Sequence, residues 1–153
     1  MKQSAGILLY RKAGGVLQFF LVHPGGPYFK NKDAGAWSIP KGEFLDDEEP
    51  LAAAKREFEE ETSQLVNGDF APLGSVKLKS GKTVHAWAVE GDIDHETIIS
   101  NTFEIEWPPH SGKKITIPEI DRAGWFNTVA AKQKMNAAQA IFIERLLNVI
   151  ADD

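Results

Sequence analysis

Cysteine is missing from this 153-residue sequence. That absence excludes a disulfide framework, a thiol nucleophile and any zinc site built on sulfur. Long apolar runs are missing as well: no stretch approaches the ~20 residues that a membrane-spanning helix needs. Near the start, only residues 7–10 are continuously apolar before Arg11, too short for the core of a signal peptide. Positive charge is scarce, with 17 basic against 22 acidic residues and a net charge of -5. Neither a nucleic-acid polymer nor a membrane is therefore expected as a partner. Repeats, low-complexity tracts and linkers are absent too. What remains is the expectation of one cytoplasmic domain over 1–153, monomeric or homodimeric.

The apolar residues that are present fall into short blocks. Residues 4–12 and 16–24 read as two strands around Ala13, Gly14 and Gly15, a hairpin signal. Residues 25–42, rich in Gly, Pro and Lys, predict a long loop. Pro50 to about Leu65 predicts a helix, with proline in its first turn and acids just before it. A second hairpin is expected to turn at Ser80 and Gly81, followed by an irregular stretch containing Trp107 and two prolines. Residues 123–127 form a short strand pattern. Residues 128–150 read as mostly helical, with Ile141, Leu146, Leu147 and Ile150 as an apolar stripe. Strands mixed with two or three helices imply a layered α/β domain.

The helix at 50–65 carries the unusual chemistry. Leu51, Ala54, Phe58, Thr62 and Leu65 share a stripe that must face the core. Glu57, Glu60 and Glu61, at i, i+3 and i+4, share a different face, while Glu59 points to solvent. Three converging carboxylates raise one another's pKa unless a cation sits among them. Their oxygens are the ligands that hard divalent ions prefer. An isolated run of glutamates is more often only a solvated face. The surrounding residues decide between the two.

Gly42, five residues, Glu48, seven residues, then Arg56-Glu57-Phe58, one residue, and Glu60-Glu61 reproduce the signature of the Nudix hydrolases. The chain resembles that family, and "WSIPKGE" ahead of the signature is similar to its lead-in strand and turn. The pattern departs at its end, where Ser63 and Gln64 replace a glycine and an aliphatic residue. That glycine resembles a left-handed helix cap, which costs a residue with a Cβ about 1 kcal/mol. Ser63 either accepts that cost or lets the helix run toward Asn67-Gly68, with Leu65 supplying the apolar side chain that Gln64 does not.

The resemblance implies an α/β/α sandwich with a mixed central sheet. It also implies a Mg2+-dependent pyrophosphohydrolase, Mn2+ able to substitute, that acts on a nucleoside diphosphate linked to another group. By position, Glu57, Glu60 and Glu61 would hold metal with the Gly42 carbonyl, and Arg56 would fix Glu48 or Glu60. Glu119 resembles the distal glutamate that supplies a base, with Glu104 and Glu106 as competitors. Lys41 is placed to meet a phosphate. Tyr28 and Trp107 are the aromatics expected to stack on a nucleobase, whereas Trp37 and Trp125 read as core. His85 reads as a face histidine, and His23 and His110 as loop residues beside prolines. "W-x-x-P-K-G" (37–42) resembles the diadenosine polyphosphate branch of the family. Two other readings compete: a catalytically weak nucleotide-binding module of the same fold, and a calcium-binding domain. For the last, an Asp-rich loop with a central glycine is missing.

Overall fold

The computed structural model describes residues 2–151. The first hairpin forms as expected, β1 (Gln3–Ala13) and β2 (Val16–Pro24), with Gly14 and Gly15 at positive φ in the turn. The two strands pair only from Tyr10↔Phe19 to Ala13↔Val16 and then part. Into the gap comes β3 (Lys41–Glu43), antiparallel to Ser4–Gly6 of β1. Ser38 bridges to Val22 on the other side. Part of the expected loop at 25–42 is therefore sheet. Three residues are too few to display a period of two, and the bonds that hold the segment come from distant strands. Ile7 N–H donates to the Pro40 carbonyl at 3.1 Å and Ser38 N–H to the Val22 carbonyl at 3.0 Å.

The second hairpin is β4 (Ala71–Lys77) and β5 (Thr83–Glu90), and the last strand of the main sheet is β8 (Ile120–Asn127). The sheet order is β4-β5-β1-β2-β8, with β1 and β5 parallel and the other pairs antiparallel, so the sheet is mixed. Both faces are covered. Ala5, Ile7 and Leu9 of β1 pack with Ala53, Ala54 and Phe58 of α1 (Pro50–Thr62). Leu8 faces the other way, toward Ala131 of α2 (Thr128–Lys134) and Phe142, Ile143 and Leu146 of α3 (Ile141–Ala151). Burial on both faces explains why β1 reads as a continuous apolar run. The architecture is the expected α/β/α sandwich.

Several expectations are corrected. Helix α1 stops at Thr62 and not near Leu65; of the two outcomes open at Ser63 the left-handed cap is the one found, φ 62°, with its N–H on the Glu59 carbonyl at 2.7 Å. Leu65 thus lies past the helix and is 68% exposed, so it adds nothing to the core. The C-terminal helix is two helices, because Asn136 breaks it with its side chain on Ala138 N–H and its own N–H on the Trp37 carbonyl. With α3 starting at Ile141, that residue is 45% exposed and Phe142 and Ile143 are buried instead. The irregular Trp107 stretch contains a separate hairpin, β6 (Thr102–Glu106) and β7 (Lys114–Pro118). His23 is no loop residue: it lies in β2, fully buried.

Candidate active site

The cleft forms where β1 and β2 part, a break that opens both faces of the sheet to one cavity of about 530 Å³. Gly42, Glu57, Glu61, Lys41 and Glu119 all line it. Helix α1 supplies the two glutamates because Glu57 and Glu61 lie one turn apart on its sheet-facing side. Its start is fixed by Glu49, whose carboxylate accepts from Leu51 N–H and Ala52 N–H at 3.3 and 3.0 Å. Gly42 pairs with Ala5, so it faces α1. A Cβ built there would collide with the carboxyl group of Glu57, so only glycine lets strand and helix approach this closely.

Burial and charge are in conflict at this wall. Glu57 is 8% and Glu61 5% exposed. Burial, with Glu119 nearby, pushes the Glu61 carboxyl up to about 9, although Lys41 opposes the shift. Glu57 is raised too, first by burial and then by Glu60, against the pull of Arg56. Arg56 is the local counterweight. Its Nε and Nη2 grip both oxygens of Glu48 at 2.8 and 3.0 Å, while Nη1 reaches Glu57 at 2.9 Å and Glu60 at 3.1 Å. These bonds hold the Glu48 carboxyl below its ordinary range. Among the described residues nothing comparable reaches Glu61, whose Oε1 accepts a long bond, 3.3 Å, from Lys41 N–H.

Glu119 is the single residue between β7 and β8, and it lines the cavity close enough to α1 to raise the pKa of Glu61. Its backbone is held on both sides, N–H to the Asn101 carbonyl at 3.0 Å and carbonyl to Gly25 N–H at 2.8 Å. Its Oε1 accepts from Asn101 Nδ2 at 3.4 Å. The competitors lie elsewhere. Glu106 accepts from His110 N–H and Gly112 N–H in the β6–β7 turn, and Glu104 is exposed on that hairpin. Glu60 also lies outside the cavity lining, exposed on α1.

Lys41 stands on the opposite face of β3 from Gly42, paired with Gly6. Burial lowers its pKa, with Lys82 adding repulsion and Glu61, Glu43 and Glu57 opposing. Tyr28 and Trp107 do come together, edge to face at 5.2 Å, but beyond the cavity lining, which holds Phe29 instead. Trp37 is core, 4% exposed, and Trp125 packs edge-on against Phe20. His85 is half-buried and bonded to Gln3 at 2.6 Å.

Sequence reasoning passed over two positioning residues. His23 bonds Asp121 at 2.8 Å and the Lys32 carbonyl at 2.6 Å, tying the 25–36 segment to β8. Gln139, 1% exposed, accepts from Ile39 N–H at 3.1 Å and donates to Ser38 Oγ at 3.2 Å. Neither has a local signal, since their partners lie up to 101 residues away.

Among the described residues no group of three or more carboxylate or imidazole side chains is placed to hold a metal ion. The donor set nonetheless suits a hard divalent ion. Glu57 and Glu61 present carboxylate oxygens, which such ions prefer, and magnesium keeps several waters, so it needs no all-protein cage. Of the glutamates that the signature implies as ligands, Glu57 and Glu61 line the cavity and Glu60 does not.

Comparison with known proteins bears on the same point. A NUDIX domain profile matches residues 1–146. A search of curated proteins finds no significant match. Among solved structures, a Caenorhabditis elegans Ap4A hydrolase superposes with a TM-score of 0.70 at 19% identity, over 100% of both chains. The NUDIX domain of Shewanella oneidensis NrtR, complexed with ADP ribose, gives 0.65 at 15% identity, over 97% of this chain and 87% of the other. A mutT/nudix family protein from Listeria innocua gives 0.64 at 18% identity, over 99% and 94%. The chain belongs to the NUDIX domain family.

Proposed function

We propose that this protein is a Mg2+-dependent pyrophosphohydrolase that cleaves a phosphoanhydride bond of a nucleoside diphosphate linked to another group. A dinucleoside polyphosphate or a nucleoside triphosphate is the preferred class. The observation that carries the reading is the meeting of Glu57, Glu61 and Glu119 in one cavity with Lys41. The name of the C. elegans relative, an Ap4A hydrolase, supports the choice of class.

Glu57 and Glu61 would hold the metal, with the Gly42 carbonyl and Glu60 completing the set from the rim. Bound there, the ion would neutralise the polyphosphate and stabilise charge in the transition state. Arg56 locks Glu57 and Glu60 into position through its bonds to them, with Glu48 fixing the guanidinium. Glu119 approaches from the β7–β8 junction and orients the attacking water as base, or serves as an added ligand. Lys41 meets a phosphate oxygen. The Tyr28–Trp107 pair offers an aromatic surface for a nucleobase beyond the phosphates. The protein acts on small nucleotides in the cytoplasm, as monomer or homodimer; no helix among the described residues is long and apolar enough to cross a membrane.

The test is a panel of dinucleoside polyphosphates, nucleoside triphosphates and ADP-ribose, with and without Mg2+, and products identified by mass. Mg2+-dependent release of a nucleotide is expected. Full turnover in excess chelator, or no turnover of any member, overturns the proposal.

A further inference from the structure

Among the described residues one buried side-chain polar atom lacks a hydrogen-bond partner: the hydroxyl of Ser4, a residue 0% exposed. A buried hydroxyl left unsatisfied costs ~1–3 kcal/mol, so its place at the cavity wall calls for an explanation. Ser4 lies on β1 directly opposite Glu43, and Gly6 is directly opposite Lys41. Opposed residues share a face, so Ser4, Glu43 and Lys41 lie on the face of β3 away from the acidic helix. Lys82 joins them from the β4–β5 hairpin, and Leu78 and Gln139 close the same end of the cavity.

The ionic arrangement there is lopsided. Glu43 has two lysines, Lys82 at 3.0 Å and Lys2 at 3.8 Å, and Lys41 has no ion pair among the described residues. On this face of β3 Glu43 is thus shared by two lysines, while Lys41 feels Glu61, Glu43 and Glu57 only at longer range. We propose that Ser4, Lys41 and Lys82 form an anion subsite that takes a phosphate of the substrate's chain beyond the bond that is cleaved, which rests on the acidic wall holding that bond. An incoming phosphate draws Lys82 away from Glu43 and uncovers the Ser4 hydroxyl. Glu43 keeps Lys2 as its partner, so the exchange leaves no carboxylate unpaired. The chain then runs from the acidic face of β3, past its edge, to the lysine face. Only substrates with three or more phosphates can occupy both, which favours tetraphosphates over ADP-ribose.

The direct probe is inorganic tripolyphosphate in excess chelator, with binding followed by calorimetry. Lys82→Met should weaken it about tenfold, as expected for loss of a charge-assisted bond, and Ser4→Ala about threefold to fivefold. Glu43→Gln should tighten it several-fold, by freeing Lys82. Ser4→Ala should at the same time hold or raise the melting temperature of the free protein, because it removes an unsatisfied buried hydroxyl. In turnover with Mg2+, Lys82→Met should lower the ratio of kcat/KM for a dinucleoside tetraphosphate over ADP-ribose about tenfold. Wild-type tripolyphosphate affinity in both Ser4→Ala and Lys82→Met overturns the subsite. So does an equal loss of both substrates. If Ser4→Ala folds poorly, Lys82→Met and Glu43→Gln decide alone. Binding that depends on these residues in a protein that hydrolyses nothing would leave the subsite standing and remove the hydrolase reading.

Discussion

The two walls of the cavity carry opposite charge and are held in opposite ways. On the acidic wall, Glu57 and Glu61 rise from one rigid helix, and Arg56 fixes Glu48, Glu57 and Glu60 with four short bonds. On the basic wall, Lys41 and Lys82 are long side chains on a three-residue strand and a hairpin end, and Ser4 waits unpaired. Rigidity belongs where ligand geometry is demanding, as at a metal ion. Adaptable cations belong where a phosphate chain of variable reach must be met. Substitutions on the two walls should therefore fail differently, the acidic wall in kcat and the basic wall in affinity.

The largest effect is expected at Glu61. Glu61→Gln should lower kcat at saturating Mg2+ by about a thousandfold, the ~4 kcal/mol typical of removing a group that stabilises transition-state charge. The same variant should melt higher than the wild type when both are metal-free, since it relieves buried repulsion. Wild-type turnover by Glu61→Gln would show that the acidic wall is not the reactive one. Next, Glu119→Gln should lose about a hundredfold in kcat, with Glu104→Gln and Glu106→Gln near wild type, as befits a general base. A larger loss in either neighbour would move the base to the β6–β7 hairpin.

A third expectation concerns pH without metal. The Glu61 carboxyl is pushed up to about 9 in the folded protein from an ordinary 4.5, so the native state holds its proton longer than the unfolded chain does. Its contribution to stability is complete below about 4.5 and is lost as pH rises toward about 9. The melting temperature of the metal-free protein should fall across that window. Glu61→Gln should flatten the fall, and added Mg2+ should reverse it at the alkaline end. A melting temperature independent of pH between 5 and 9 would contradict the burial of this charge. The smallest effect belongs to Ser63→Gly. Relief of left-handed strain is worth about 1 kcal/mol, partly offset by loss of the Ser63 Oγ bond to Ile99 N–H at 3.2 Å. Turnover should stay within about twofold of wild type. A hundredfold rise would instead identify the natural chain as an impaired enzyme.

The acidic wall was far more legible in the sequence than the basic one. Glu57, Glu61 and Arg56 sit on one helix, where spacing alone fixes which side chains share a face. Glu60 shows the limit of that reading: spacing puts it beside Glu57, where both meet Arg56 Nη1, but spacing does not say that Glu57 is buried and Glu60 exposed. Ser4 and Lys41 meet through strand register between segments 37 residues apart, which no local period encodes. The same holds for β3 and for Gln139, whose bonds cross 100 residues to Ile39. The break between α2 and α3 carried no proline or glycine, only Asn136, so apolar spacing ran straight through it. The left-handed cap at Ser63 was one of two outcomes the sequence left open, and tertiary contacts at Ile99 accompany the one observed.

The bonds of Gln139 carry a consequence for biosynthesis. Synthesis delivers the N-terminal strands and the acidic helix first, long before residue 139 leaves the ribosome. Until then the N–H of Ile39 has no Gln139 side chain to meet, and the segment that leads into Lys41 lacks its anchor. Glu119 likewise arrives only after most of the sheet has been made. A nascent chain would therefore display a finished carboxylate helix beside an unfinished cleft. Formation of the cleft is then coupled to synthesis of residue 139, and a product truncated before it would keep the signature motif while losing the anchor of the Ile39 segment.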